Sequence, residues 1–320
     1  MGAGHAAVAV PHVFKVEVAL DVVHGQLEHL RANGSENWYN DDARIHSSSM
    51  GSIHAFILGV VQGITEFLPI SSSGHLLAFH DFLKFDLANS LSFDASLHLG
   101  TLLALVVYFW KDVVGLVKDF FRSLRHWDVH NDTGQRNAWT ILVGAIPAAA
   151  VGFFADSWVE EHVRNLWVVV CTLAFGALVF FMVEAWVRRQ QLRPDVTFAT
   201  AWVVGFAQVI ALIPGISRSG ATIVAGLYRK LDRAAAARFA FLVSLPVVAG
   251  AGLFKATELF QAQPSQAELW QIGIGIAAST VVGYVVIRFL LRYLQGHSLA
   301  VFAWYRLAAG GALAIYLVIR

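Results

Sequence analysis

"GVVQGITEFLPISSSGHLLAF", residues 59–79, opens as a membrane helix and then places a glutamate, a proline and three consecutive serines where the apolar run should continue. The surrounding chain makes this costly. Of its 320 residues 57% are hydrophobic and 14% charged, and the mean hydropathy is +0.60, values that belong to a polytopic membrane protein. A net charge of +1 suggests no nucleic-acid partner, and the basic residues serve better as topology markers. The single Cys171 lies inside an apolar run, where it reads as packing and has no partner for an intrachain disulfide.

Residues 1–49 are polar and dotted with histidine, without the basic start, apolar stretch and small-residue site of a signal peptide. Met50 opens "MGSIHAFILGVVQG" just before the first apolar segment. The expectation is an extension upstream of the natural start, or a small appended segment, and it is assigned no function. Residues 50–320 form the membrane domain.

Within that domain six runs of spanning length cover about 93–110, 138–155, 166–187, 238–256, 269–290 and 299–319, given the ~20 residues needed to cross a bilayer. Two further regions, 53–83 and 198–228, are broken in the middle by Pro and Ser/Gly clusters. A shift of 146 residues lays Gly59 on Gly205, Gln62 on Gln208, Ile70 on Ile216, Ser71 on Ser217, Ser73 on Ser219, Gly74 on Gly220 and Phe93 on Phe239, without a gap. The chain therefore repeats one broken segment followed by three spans, over about 53–187 and 198–319. Three spans per repeat invert the second copy, and paired Gly/Pro-interrupted segments point to a midplane site.

Loop charges give the same topology. Lys111, Lys118, Arg122, Arg125 and Arg136 fall in one loop, Arg188, Arg189 and Arg193 in the next but one, and Arg229, Lys230, Arg233 and Arg238 in another. The alternate loops, around Asp156, Glu160 and Glu161 and around Glu258 and Glu268, are acidic or nearly neutral. The basic loops are then cytoplasmic. The expected fold is all-α: an inverted-topology repeat with six transmembrane helices plus two re-entrant helix pairs.

A polar group at membrane depth is a functional-site hypothesis, since a central Arg or Asp costs about 2.5–3.5 kcal/mol on insertion scales. Gln62 and Glu66, four apart on one helix face, supply hard oxygen ligands for a divalent cation, or an interhelical hydrogen bond. Ser71, Ser72 and Ser73 follow Pro69 at the break, where they cap the next helix or, beside His75, provide a hydroxyl nucleophile or a phosphate donor. In "PGISRSGAT", residues 214–222, Ser217, Arg218 and Ser219 sit at a helix start, which favours anions. Arg218 can also be the counter-ion of Glu66. His98 reads as a packed residue, and Asp94 and Glu184 as interfacial. Trp110, Trp158, Trp167, Trp186 and Trp304 fit an aromatic belt. Together the two breaks read as the halves of a phosphate site among apolar helices, which suits a lipid pyrophosphate.

"GVVQGITEFLPISSSGHL" and "IPGISRSGATI", with "FDASLHLGTLLAL", "RAAAARFAFLVSLP" and "FAWYRLAAGG", resemble the bacterial undecaprenyl-pyrophosphate phosphatase family of the bacitracin-resistance type, from Met50 to the C-terminus. The resemblance implies hydrolysis of undecaprenyl pyrophosphate at the outer face of the plasma membrane, recycling the carrier of cell-wall polymers, with Mg²⁺ or Ca²⁺. It implies Glu66 as metal ligand or base assisted by Gln62, Ser72 or Ser71 as nucleophile or phosphate binder, and His75 as nucleophile or proton donor. The resemblance further implies that Arg218, Ser217 and Thr222 hold the pyrophosphate, with Ser73 and Ser219 beside them. Where the family's motif has Glu or Gln this chain has Gln62, which leaves one carboxylate there. A metal-bound water remains an alternative nucleophile, a lipid-phosphate carrier remains an alternative function, and a homodimer is left open.

Overall fold

The computed structural model describes residues 40–83, 90–261 and 264–320. Residues 1–39, which carry most of the expected extension, lie outside them. The chain divides into two units, Met1–Met50 and Gly51–Arg320, and the second bears the architecture below.

The described residues form α1 (Asn40–Phe67), α2 (Ser72–Leu83), α3 (Ser90–Tyr108), α4 (Trp110–Arg125), α5 (Thr133–His162) and α6 (Leu166–Val187). They continue with α7 (Phe198–Ile210), α8 (Arg218–Tyr228), α9 (Arg233–Gln261), α10 (Gln266–Tyr293) and α11 (Ala300–Ile319). No strand occurs among these residues beyond one isolated bridge, Arg193 with Leu231.

Among the described residues five stretches are long and apolar enough to span a membrane: Thr133–Ala155, Leu166–Val187, Arg233–Leu253, Gln266–Tyr293 and Ala300–Ile319. The run expected as a single span over 93–110 departs from that reading. Phe93–Tyr108 and Trp110–Arg125 meet at 81°, and only as a bent pair do they make a sixth span. The cause lies in the sequence after Phe109. Lys111, Asp112, Lys118, Asp119 and Arg122 follow, while Val117, Phe121 and Leu124 are exposed on the same helix. Such two-faced patterning suits a helix lying along an interface rather than across a bilayer, and it turns part of the expected 111–137 loop into α4.

Both predicted breaks are present, between α1 and α2 and between α7 and α8. The 146-residue register maps α1 onto α7, α2 onto α8 and α3 onto α9; beyond α4 it no longer holds, and α5 and α6 correspond to α10 and α11 only in their order along the chain. Packing follows the same exchange: α3 lies on α10 as α9 lies on α5, and α6 lies on α11. The glycines that open the two motifs do the same work. A Cβ on Gly59 would fall 2.6 Å from the Gly275 carbonyl oxygen, and one on Gly205 2.6 Å from that of Gly144. Backbones meet at both places, as small residues allow between membrane helices.

A buried cluster that includes Phe67, Leu105, Phe109, Phe180, Val204, Ile223 and Phe241 draws residues from both repeats and takes in Ile70 of the first break. Two carboxylates expected at the interface are buried instead. Glu184 takes the Arg233 guanidinium on both oxygens and accepts the Leu299 N–H at the approach to α11, 2.8 Å. Asp94 belongs to the cavity described next. Cys171, read as packing, is exposed on α6. Of the five expected belt tryptophans, Trp110, Trp158, Trp167 and Trp304 are exposed, while Trp186 is partly buried against the core and lies by Tyr228.

Candidate active site

Ser71 and Ser217, equivalent in the repeat, both adopt left-handed backbone, with φ of 78° and 74°. For a non-glycine residue this conformation costs on the order of 1–3 kcal/mol. Both side chains recover hydrogen bonds as helix caps: Ser71 Oγ accepts the Gly74 N–H at 3.3 Å, and Ser217 Oγ accepts the Gly220 N–H at 3.1 Å. Each turn thereby aims the N-terminus of a short helix, α2 or α8, with its unpaired N–H groups, at the place where the breaks meet.

The breaks are in direct contact. Gly215 N–H donates to Ser73 Oγ at 3.4 Å, and Ser219 Oγ–H donates to the Leu68 carbonyl at 3.2 Å. Gly215 is held at φ 88°, and a Cβ there would fall 1.9 Å from Thr172 Oγ1 and 3.0 Å from Val169 Cα. Gly215→Ala is therefore expected to lower stability by roughly 1–3 kcal/mol and to displace the second break, measurable as an earlier thermal transition in detergent together with loss of activity.

Between the breaks lies a cavity of about 230 Å³. Glu66, Ser71, Ser72, Ser73, Ser217 and Arg218 line it, as the sequence predicts. Ser72 Oγ–H donates to Glu66 Oε2 at 2.6 Å, Gln62 Nε2–H donates to the same oxygen at 3.2 Å, and Arg218 Nη1 stands 4.0 Å from Glu66 Oε1. The Glu66 side chain is 11% exposed and that of Arg218 27%, so the pair is sheltered yet still reaches the cavity. On its other side the pair borders a second space of about 10 Å³, lined also by Ser219 and Thr222. That is room for about one water. Thr222 Oγ1–H is bonded back to the Arg218 carbonyl at 2.7 Å, so it braces α8 from within.

His75 is not brought into the cavity. Its Nδ1 is 2.7 Å from the Ser71 carbonyl, its Nε2 is 2.8 Å from the Tyr305 hydroxyl, and its ring stacks on Tyr305. An Nδ1–H bonded to that carbonyl leaves Nε2 to accept from Tyr305. The imidazole thus ties the first break to α11.

Three cavity residues were missed. His98, expected to be packed, lines the cavity with its Nε2 3.7 Å from Glu66 Oε2. Asp94 and Arg164 line it too, Asp94 accepting from His80 Nε2 at 2.8 Å and from Arg164 Nη2 at 3.2 Å. Period alone would have flagged Asp94 and His98, which stand four apart on the helix face reaching Glu66.

Arg306 was missed as well, although an arginine inside the apolar run 299–319 is itself a signal. It is fully buried. Its guanidinium donates to five carbonyls: Leu173 at 3.2 Å, Pro69 at 3.3 Å, Ile216 at 3.0 Å, and Thr172 and Gly215 each at 2.9 Å. Pro69 belongs to the first break and Gly215 and Ile216 to the second, so one side chain of α11 holds both. The Phe180 ring lies 5.2 Å below it.

For a divalent cation the donor set is thin but chemically suited. Among the described residues no three or more His, Cys, Asp or Glu side chains are grouped to hold a metal. Gln62 is fully buried and its Oε1 has no hydrogen-bond partner, but Gln208, its repeat equivalent, has the same orphan. The orphan is thus no sign of a metal by itself. What distinguishes the first break is the Glu66 carboxylate and the Ser72 hydroxyl beside it, hard oxygens of the kind Mg²⁺ shares with a bound phosphate rather than an all-protein cage.

The chain matches the family described as bacitracin resistance protein BacA over residues 55–312. It is 41% identical over 262 residues to the undecaprenyl-diphosphatase of Geotalea daltonii, covering 82% of this chain and 96% of that protein. With the undecaprenyl-diphosphatase of Rubrobacter xylanophilus it shares 43% over 268 residues, 83% of this chain and 98% of the relative. With that of Geobacter sulfurreducens it shares 42% over 272 residues, 85% and 100%. Two signature segments meeting at one cavity, matched along nearly the whole length of these relatives, place this chain in the bacitracin resistance protein BacA family.

Proposed function

We propose that the protein hydrolyses undecaprenyl pyrophosphate to undecaprenyl phosphate and inorganic phosphate, as a multi-pass enzyme of the bacterial plasma membrane. The observation that carries this reading is the Ser72–Glu66–Arg218 constellation in a cavity between two helix N-termini: a hydroxyl bonded to a carboxylate, beside a guanidinium. A phosphate carrier needs the guanidinium and the helix ends, but it has no use for a hydroxyl held on a base.

The topology proposed is the inverted repeat, with α3 as its sixth crossing, α4 turned along the interface, and the two broken segments as re-entrant pairs. Residues 50–320 are taken as the membrane domain. The α5–α6 connection, which supplies Arg164 to the cavity, is one of the acidic or neutral loops, whereas Arg193, Arg229 and Lys230 line a different, basic hollow. By the positive-inside rule the cavity opens to the outer face. At about 230 Å³ the cavity has room for far more than the single water of the smaller space. That suits a diphosphate head group and leaves the prenyl chain in lipid.

Arg218 grips the terminal phosphate and Arg164 faces the same space, so both phosphates meet a guanidinium. Ser71, Ser73, Ser217 and the helix N-termini add hydroxyls and N–H groups. Glu66 takes the Ser72 proton as Oγ bonds to the terminal phosphorus and the bridging P–O bond breaks, its electron pair leaving with undecaprenyl phosphate. Glu66 passes that proton to the departing phosphate oxygen, then takes one from the water that attacks phosphorus and returns it to Ser72 Oγ as the P–Oγ bond breaks. Glu66, with Gln62, would hold Mg²⁺ or Ca²⁺, which supplies neutralisation of the diphosphate charge.

The test is phosphate release from undecaprenyl pyrophosphate by purified protein in detergent, with Mg²⁺ or with EDTA. The expected result is release that EDTA abolishes and Mg²⁺ restores. Folded protein that binds the lipid but releases no phosphate with either cation would refute hydrolysis and favour the carrier.

A further inference from the structure

The far end of α8 carries a second concentration of positive charge that phosphate hydrolysis does not use. Gln191, Arg193, Tyr228, Arg229 and Lys230 line a hollow of about 320 Å³. Among the described residues no carboxylate pairs with Arg193, Arg229 or Lys230. Arg229 Nε is buried and has no hydrogen-bond partner, an open donor of the kind that calls for a ligand or a water. We infer that this hollow, with the apolar groove that adjoins it, binds an anionic phospholipid of the cytoplasmic leaflet: its phosphate among the three cations and one acyl chain along α8. The leaflet follows from the topology proposed above; the site itself stands apart from the catalytic reading.

The hollow is fixed by backbone. Arg193 N–H donates to the Lys230 carbonyl at 2.9 Å, and Asp232 N–H donates to the Arg193 carbonyl at 3.0 Å. Lys230 is thereby held at φ 68°, a conformation that a lysine keeps only where its surroundings enforce it. The last carbonyls of α8 do not oppose an anion. Those of Ala225, Gly226 and Leu227 accept the N–H groups of Arg229, Leu231 and Lys230 at 3.0, 3.0 and 2.8 Å. The neighbouring carboxylates are turned to other work, Asp232 capping Ala235 N–H at 2.7 Å and Glu184 taking Arg233.

The groove supplies the argument for a lipid rather than a free anion. Tyr228 borders both spaces. Beyond it Ala221, Val224 and Ala225, on one face of α8, join Phe175 of α6 and Ile210 of α7 around a further 320 Å³, and the groove ends at Ile216 in the second break. Phe175 and Ile210 are exposed, so the groove is open to lipid. The 11 residues of α8 rise about 16 Å, half the ~30 Å of a hydrocarbon core. An acyl chain of one leaflet therefore fits its length. Tyr228 packs against Trp186 with ring centroids 5.6 Å apart, and such aromatic pairs sit at head-group level. The cytoplasmic surface is also where basic clusters meet anionic lipid.

The experiment is native mass spectrometry of the full chain in detergent, titrated with dioleoyl phosphatidylglycerol, dioleoyl phosphatidylcholine or inorganic phosphate. The variants are Arg193→Gln with Arg229→Gln, Val224→Phe to fill the groove, and Arg188→Gln with Arg189→Gln as a control in the same basic loop but outside the hollow. Each is first shown to melt as wild type does. The expected result is one phosphatidylglycerol retained at least about tenfold more tightly than phosphatidylcholine, an affinity that falls about 30-fold in Arg193→Gln with Arg229→Gln. Val224→Phe should weaken it too, and the control pair should not. Equal retention of the two lipids, or equal losses in the hollow pair and the control pair, would reduce the effect to general surface charge and overturn the inference. Inorganic phosphate bound as tightly as phosphatidylglycerol, with Val224→Phe without effect, would overturn it in favour of a soluble anion. Phosphate release from undecaprenyl pyrophosphate is a separate measurement, so neither result touches the phosphatase reading.

Discussion

Arg218→Ala should lower kcat for phosphate release by about 10³–10⁵-fold, the range for removing an arginine that neutralises a transferring phosphoryl group. The chain offers no substitute at that position. Arg164 lies at the cavity's wall, tied to Asp94 at 3.2 Å and committed to the other phosphate, and Arg306 is fully occupied by carbonyls. Arg218→Lys should recover only part of the loss, since an ammonium keeps the charge without the planar fork. Glu66→Gln belongs to the same experiment. It keeps the shape but removes the base from Ser72, and about 10²–10⁴-fold should go with it. Single-turnover rates separate these effects from binding, and full activity in both Arg218→Ala and Glu66→Gln would end the site assignment.

The second large effect is on the fold. Arg306→Ala strips the buried Pro69, Gly215 and Ile216 carbonyls of their donor at once, whereas Thr172 and Leu173, inside α6, keep their helical partners. Each unsatisfied group costs about 1–3 kcal/mol, and relaxation of the breaks recovers part of the sum, so a net loss of at least about 3 kcal/mol is expected. Arg306→Lys, with three donors for five acceptors, should fall between Ala and wild type. Thermal unfolding in detergent reads the effect directly. If Arg306→Ala melts with wild type, the guanidinium is not what joins the two breaks.

The contrast between Arg218 and Arg306 shows what the sequence makes legible. Arg218 stands in a segment that repeats at a fixed interval with its glycines and serines, and a repeat can be seen without coordinates. The same holds for Glu66 and Ser72, which stand in the matching first segment. Arg306 is isolated in an apolar run, and its five acceptors come from three separate places in the chain, a convergence that no local pattern encodes. His75 misled because proximity in sequence to Ser72 suggested proximity in chemistry, whereas one turn of helix carries its ring round to Tyr305. His98 was hidden for the converse reason: it is 32 positions from Glu66 and becomes its neighbour only when α3 packs beside α1. The bend at Phe109 was legible in the charges of α4 but was read as a loop.

The place of Arg306 in the chain also fixes when the site can exist. A ribosome delivers the two breaks well before α11, the last of the described helices, and until that helix inserts nothing satisfies the Pro69, Gly215 and Ile216 carbonyls together. A nascent chain stalled after α10 would hold Glu66, Ser72 and Arg218 yet leave them without their shared anchor. Competence is therefore gained late in synthesis and in one step, when a single guanidinium enters the membrane.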